Sequence, residues 1–218
     1  MGGPDETSAL RAICNILRGG FTCGPTMPVQ QPSSHFLFVV ASGRRDGNSE
    51  QLARRAALRL PAGATQQWIH LADFPLPVFT DARHGEATWQ PFVEGPGKAL
   101  LEATLAATAI VIVAPVYWYS LPASAKLYLD HWTTWLRSPG INFKARMAGK
   151  TLHGISVSSD GDPTLTEPVK ETLRLTAGYL AMHWGGFLLG AGNRPGQVMT
   201  DAQSVAAADS FFLPANPA

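Results

Sequence analysis

Phe36-Leu37-Phe38-Val39-Val40-Ala41-Ser42-Gly43-Arg44-Arg45-Asp46-Gly47-Asn48-Ser49 runs from an apolar hexad into a turn of small and polar residues. The hexad has strand length and strand composition, and Gln51 to Leu58 beyond the turn is rich in helix formers. The sequence therefore predicts a strand, a loop and a helix start. Such a junction aims several backbone N–H groups and the positive end of a helix dipole at one small volume outside the strand's carboxyl end. An anion fits there. Ser42, Asn48 and Ser49 add donors, Arg44 adds a full charge, and Gly43 and Gly47 let the backbone come close. The loop has neither the Gly-Lys-Ser/Thr of a Walker A sequence nor the G-x-G-x-x-G of dinucleotide folds. Taken alone, its residues are also those of an ordinary turn.

The rest of the chain decides between these readings. A helix over Ser49 to Arg59 is followed by a short strand, Gln67 to Leu71, in which His70 reads as structural. Ala72 to Gly97 is long, irregular and proline-bearing, of the kind that forms a lid or binding loop. A helix over Lys98 to Ala107 leads to Ala109-Ile110-Val111-Ile112-Val113-Ala114, apolar on both faces and so central and parallel. This strand ends in Pro115 to Pro122, where Pro122 suits the first turn of the next helix. That helix carries Tyr128, Trp132 and Trp135 on its apolar side, more ring surface than one sheet face needs, which predicts a second buried surface at a subunit interface. A fourth strand, Thr151 to Val157, closes in Ser158-Ser159-Asp160-Gly161-Asp162-Pro163. A helix over Leu165 to Met182, a fifth strand over Gly185 to Gly190 and a last helix over Asp201 to Phe212 complete the chain.

Five alternations of strand and helix are the signature of an α/β doubly wound, five-stranded parallel sheet with helices on both faces. Its ligand site lies outside the carboxyl ends of the strands, where the strand order reverses. Three loops fall on that edge: Ser42 to Ser49, Pro115 to Ser120, and Ser158 to Asp162. The first suits a phosphate, the second offers rings on a Pro-flanked backbone, and the third offers hydroxyls and amides. Together they fit a flat, partly apolar ring system carrying one phosphate.

Composition narrows the function further. At 218 residues the chain suits one large domain, with 45% apolar and 15% charged residues. A formal charge of +1 gives no electrostatic reason to expect nucleic acid or an anionic membrane. Arg44, Arg45, Arg54, Arg55 and Arg59 cluster on one loop and helix and read as a solvated face. No apolar run reaches the length of about twenty residues that spans a membrane. The head of the chain shows no secretory pattern, so a cytoplasmic location is expected. Residues 1–34, rich in Gly and Pro, read as a flexible N-terminal arm or an upstream extension with Met27 a natural start, and 35–218 as the domain. Cys14 and Cys23 lie in that arm, leaving the domain without a disulfide framework or structural zinc site. No metal is expected, since the six histidines make no metal-spaced pair. The absence of G-x-S-x-G and H-E-x-x-H disfavours a hydrolase.

Two stretches resemble a known family, the flavodoxin-like NAD(P)H-dependent FMN reductases and quinone reductases. Ser42-Gly43-Arg44-Arg45-Asp46-Gly47-Asn48-Ser49 is similar to their phosphate loop Ser-x-Arg-x-x-Gly-Asn-Ser. Pro115-Val116-Tyr117-Trp118-Tyr119-Ser120-Leu121-Pro122, with Lys126 and Asp130, resembles their Pro-x-Tyr-x-x-x-x-Pro-x-x-x-Lys-x-x-x-Asp. The likeness covers about Phe36 to Gly192. It implies a flavodoxin-like FMN-binding domain over 35–218, with the phosphate on Ser42, Arg44, Gly47, Asn48 and Ser49. The isoalloxazine would lie on Pro115, Val116, Tyr117 and Trp118, and the loop of Ser158, Ser159 and Asp160 would close over its edge. NADPH or NADH would reduce the flavin, and a small oxidised acceptor, such as a quinone, flavin, azo or nitro compound, would then take the electrons by ping-pong transfer. The flavin carries this chemistry, so no catalytic side chain is required, and Lys126 with Asp130 reads as an ion pair. The family's habit is a homodimer or homotetramer. Two rivals share the fold: a flavodoxin-type electron carrier that NAD(P)H does not reduce directly, and a non-catalytic dimeric binding module with a vestigial flavin site.

Overall fold

The computed structural model describes residues 34–84, 89, 92 and 94–213. The expected N-terminal arm, with Cys14 and Cys23, lies outside the described residues except for Ser34. Five strands form one sheet: β1 (His35–Val40), β2 (Thr65–His70), β3 (Ala109–Pro115), β4 (Thr151–Ser158) and β5 (His183–Ala191). All neighbours pair in parallel in the order β2-β1-β3-β4-β5, so the order reverses between β1 and β3. The helices are α1 (Asn48–Ala57), α2 (Gly95–Ala106), α3 (Ala123–Arg137), α4 (Phe143–Met147), α5 (Pro163–Tyr179) and α6 (Ala202–Ser210). Single 3-10 turns cover Leu71–Asp73 and Gln197–Thr200.

Strand periodicity sorts the core into two layers. Phe36, Phe38 and Val40 of β1, with Val111 and Val113 of β3, meet Leu52, Ala53 and Ala56 of α1 and Ala208 of α6. On the opposite face Leu37, Val39, Ile110 and Ile112 meet Leu100 of α2, Tyr128 of α3 and Val169 and Leu173 of α5. Each apolar run is buried because both faces are covered, as parallel sheets require.

The rings of α3 correct one expectation. Tyr128 and Trp135 are fully buried and Trp132 is 3% exposed within a single chain, so their burial needs no second subunit. Phe143 of the five-residue helix α4 packs against Trp132 and Trp135, each at a centroid distance of 5.6 Å. Sequence periodicity does not reveal so short a helix, and it is α4 that uses the extra ring surface. Thr104 satisfies the Tyr128 hydroxyl at 2.6 Å, while burial pushes that phenol up to about 12.

A bulge shapes the far edge of the sheet. Between Leu152↔Trp184 and Gly154↔Phe187 the register shifts, leaving Gly185 and Gly186 opposite His153. A Cβ on Gly185 would strike the His153 ring at 2.1 Å, and Gly186 has φ +104. His153 is buried among Phe36, Phe211 and Phe212, with Nδ1 3.0 Å from the Gly185 carbonyl oxygen.

Burial lowers the His153 pKa to about 4, against 6.5 for a free imidazole, despite the opposing bond to Gly185. The unfolded chain therefore takes up the proton first as pH falls, and stability is lost from about pH 6.5 down through pH 4. Urea unfolding at pH 7 and pH 5 is expected to differ by about 2 kcal/mol from this group. His153→Asn, which keeps a donor towards Gly185, is expected to shrink that difference.

Candidate functional site

The reversal between β1 and β3 opens a crevice at their carboxyl ends. The chain leaves β1 with the Ala41 N–H bonded to the Val113 oxygen at 2.8 Å, then turns through Ser42 to Asp46. The Ser42 hydroxyl oxygen accepts from the Arg44 N–H at 3.2 Å, and Asp46 turns the chain at φ 52. Gly47 begins α1 in an extended conformation with no side-chain cap, so the first N–H groups of the helix have no side-chain acceptor among the described residues. A Cβ at Gly47 would meet the Ser42 oxygen at 3.0 Å. The arginine cluster divides here. Arg45 pairs with Asp73, Arg54 with Glu50, and Arg55 and Arg59 with Asp209. Arg44 has no ion pair among the described residues, and it lines the crevice.

Two adjoining cavities fill this edge. The first, of about 260 Å³, is lined by Ser42, Arg44, Gly47, Asn48 and Ser49, by Pro115, Val116 and Tyr117, by Val157, Ser158 and Ser159, and by Gly192 and Asn193. The second, of about 250 Å³, shares Val116, Ser158 and Ser159 and adds Trp118, Tyr119, Asp160, Leu165 and Thr166. All three expected loops therefore meet, with Trp118 and Asp160 in the second cavity and the other expected residues in the first. The described residues of the 72–97 segment line neither cavity.

The fourth wall, Gly192 and Asn193 after β5, is not foreseen from the sequence. Buried Asn48 holds it in place, its Nδ2 donating to the carbonyl oxygens of Gly192 at 3.2 Å and Arg194 at 2.9 Å. That side chain is thereby committed to the wall, and what Asn48 offers an anion is its backbone N–H. The Gly190-Ala191-Gly192 spacing was the available signal. Gly192 is where backbone comes close, since a Cβ there would meet the Val198 nitrogen at 2.9 Å.

Tyr117-Trp118-Tyr119-Ser120 closes on itself through two reciprocal backbone bonds of 3.0 Å between Tyr117 and Ser120. Trp118 and Tyr119 have φ 50 and 60, the signature of a type I′ turn that Asn-Gly usually fills. Placing two bulky residues there costs about 1–3 kcal/mol each. Trp118 is 94% exposed and Tyr119 58%, so this chain's own packing does not repay the strain. Opposite them, Gly161 at φ +72 donates its N–H to the Ser158 hydroxyl oxygen at 3.0 Å. Asp162 then caps α5, and its bonds from the Thr164 hydroxyl and N–H hold its carboxyl below the usual range. Among the described residues no group of three or more His, Cys, Asp or Glu is placed to hold a metal. The crevice offers a donor-rich anion seat and a ring-lined shelf beside it.

The sequence family described as NADPH-dependent FMN reductase matches residues 35–184. A Bacillus subtilis (strain 168) protein, YwqN, described as an NAD(P)H-dependent FMN-containing oxidoreductase, is 29% identical over 178 residues, 81% of this chain and 96% of its own length. Among solved structures, the Trp repressor binding protein of Bacillus subtilis is similar with a TM-score of 0.65 at 24% identity, over 83% of this chain and 99% of that one. The NAD(P)H:quinone oxidoreductase of Methanothermobacter marburgensis is similar with a TM-score of 0.61 at 14% identity, over 86% of this chain and 100% of that one. At these identities the structural likeness is one of fold. The family match stops short of Gly192 and Asn193, so the fourth wall lies outside it.

Gly192→Ala is expected to cost about 1–3 kcal/mol through overpacking, read as a lower midpoint in urea. Gly43→Ala, where a Cβ would meet nothing within 4 Å, is expected to leave the midpoint unchanged or slightly raised.

Proposed function

Because this chain belongs to the NADPH-dependent FMN reductase family, we propose that it oxidises NAD(P)H and reduces a small oxidised acceptor in a ping-pong cycle. FMN is its cofactor and NAD(P)H its reductant, as the family and the relative's description establish. The residues at the crevice fit that cofactor. Uncapped N–H groups at the start of α1, the hydroxyls of Ser42 and Ser49, and Arg44 make a donor set suited to a phosphate. Gly47 and Gly192 let the cavity walls pack closely, since a Cβ at Gly47 would press on the Ser42 hydroxyl and one at Gly192 on the Val198 backbone. The observation that carries the reading is continuity: this seat runs through Val116, Ser158 and Ser159 into the cavity bearing Trp118 and Tyr119.

FMN held by these residues would supply two-electron redox chemistry between NAD(P)H and the acceptor. The chain's work is binding and orientation. Pro115, Val116 and Tyr117 give the ring a wall with few conformers, and the Val116 N–H is fixed on the Val157 oxygen at 3.2 Å. Ser158, Ser159 and Asp160 supply polar groups at the opposite rim. The exposed rings of Trp118 and Tyr119, carried on strained backbone, favour a flat acceptor, such as a quinone, flavin, azo or nitroaromatic compound, that stacks on them in turn with the nicotinamide. Lys126 and Asp130 pair with each other one helical turn apart, which favours a supporting role over a chemical one.

The reading includes self-association as a homodimer or homotetramer. An apolar groove of about 360 Å³ lies between α3 and α5, where Leu175 and Tyr179 are 61% and 65% exposed. A second copy covering it would remove apolar surface of the kind that interface cores bury.

The purified protein is expected to be yellow and to bleach on anaerobic addition of NADPH or NADH. Initial rates against reductant and quinone are expected to give parallel double-reciprocal lines. Colour that persists would replace the reductase by a carrier reduced through another protein, and a colourless chain that takes up no FMN would sink the reading. Trp118→Ala is expected to raise KM for a flat quinone about three- to tenfold while FMN stays bound. Light scattering is expected to give a multiple of the chain mass, falling towards one chain in Leu175→Glu.

A further inference from the structure

Behind the anion seat lies a group of side chains that touches neither cavity. Asp46 is the one non-glycine residue of the 42–49 loop at positive φ, and both sides of its backbone are held from α1. Its N–H donates to Glu50 Oε2 at 3.0 Å, and its carbonyl oxygen accepts from Gln51 Nε2 at 2.8 Å. The Glu50 side chain is only 4% exposed, so its charge requires partners. Arg54 donates to Oε1 through Nε at 3.0 Å and Nη2 at 2.6 Å, and His70 Nε2 lies 3.2 Å from the same oxygen. Arg54 in turn sits 4.3 Å over the Trp68 ring, which stacks on Phe38 at 4.1 Å. The loop is thereby tied through Glu50 to the end of β2 and to the middle of β1.

A buried carboxylate this close to an anion seat opposes the anion by charge. Its place in the structure is explained by geometry instead. We propose that Glu50 and Gln51 are positioning residues for phosphate: together they clamp the Asp46 peptide in its left-handed conformation. The N–H groups that follow then face the crevice before any ligand arrives. This rests on the FMN reading above, and it adds two residues that make no contact with the cofactor cavity. Preorganisation of this kind acts on affinity for the phosphate and leaves the ring shelf alone.

The test compares FMN with riboflavin, which lacks the phosphate, by quenching of flavin fluorescence on the flavin-stripped full-length protein. Glu50→Ala is expected to weaken FMN about tenfold, and Gln51→Ala about threefold, with riboflavin changed less than about twofold. Glu50→Gln, which keeps an oxygen acceptor for the Asp46 N–H, is expected to recover most of the loss. Equal weakening of FMN and riboflavin, or unchanged FMN affinity in both alanine variants, would overturn the proposal. So would a Glu50→Gln variant as impaired as Glu50→Ala, because charge and not the clamp would then be at work. If Glu50→Ala does not fold, the partly exposed Gln51 decides by the same ratio. Wild-type protein that binds FMN no better than riboflavin would remove the phosphate seat itself, a failure distinct from that of the clamp.

Discussion

A helix that begins on Gly47 leaves the N–H groups of its first turn without a side-chain acceptor among the described residues, and most of the crevice is arranged around that deficit. Water would satisfy these groups on an ordinary surface helix. Here the β1–β3 order reversal sets them in a walled recess, where Ser42, Ser49 and Arg44 add donors of the same sense. Charge placement reinforces the effect. The chain carries a formal charge of +1, and Arg45, Arg54, Arg55 and Arg59 are each paired with a carboxylate. Within the arginine-rich loop and helix, Arg44 is the arginine with no ion pair among the described residues, and the helix dipole adds to its charge.

Two stretches of left-handed backbone at non-glycine residues border the crevice, and they are stabilised differently. Asp46 is held by side-chain bonds from Glu50 and Gln51, which belong to a helix packed on the sheet. Trp118 and Tyr119 are held by two backbone bonds between Tyr117 and Ser120, with their rings out in solvent. The first arrangement resists deformation because moving it would disturb α1, β2 and β1 together. The second moves at lower cost, since no buried side chain anchors its tip. The proposed roles, a rigid seat for a phosphate and an adaptable shelf for exchanging substrates, match where each strained turn is tied.

Much of this was legible in the sequence, for identifiable reasons. Strand β3 and the β1–loop–α1 junction announce themselves by uninterrupted apolar runs and by Gly and Asn at the turn, and those patterns report local physics directly. The convergence of Ser42, Val116 and Ser158 follows from topology once a parallel sheet is inferred. What was not legible depends on contacts between distant segments. Helix α4 has five residues, too few for a periodic signal, so the burial of Trp132 and Trp135 against Phe143 could not be seen. Asn48 has a side chain suited to phosphate, and only the fold shows it committed to Gly192 and Arg194, more than a hundred residues on.

That same Asn48 contact explains why the fourth wall belongs to the site. A cleft built only from β1, β3 and β4 would be open on the side of β5, and an anion there would remain hydrated and compete poorly for the helix N–H groups. The Asn48 amide brings the chain after β5 across this side, and Gln197 fixes the turn by accepting at Oε1 from the N–H groups of Asn193 and Arg194, each at 3.0 Å. Gly192 allows the approach because a Cβ would press on the Val198 backbone. The Asn48 side chain thus serves the wall, and its backbone N–H is what it leaves for the proposed anion. For the proposed phosphate, a seat walled on this side would lose less of each N–H contact to competing water.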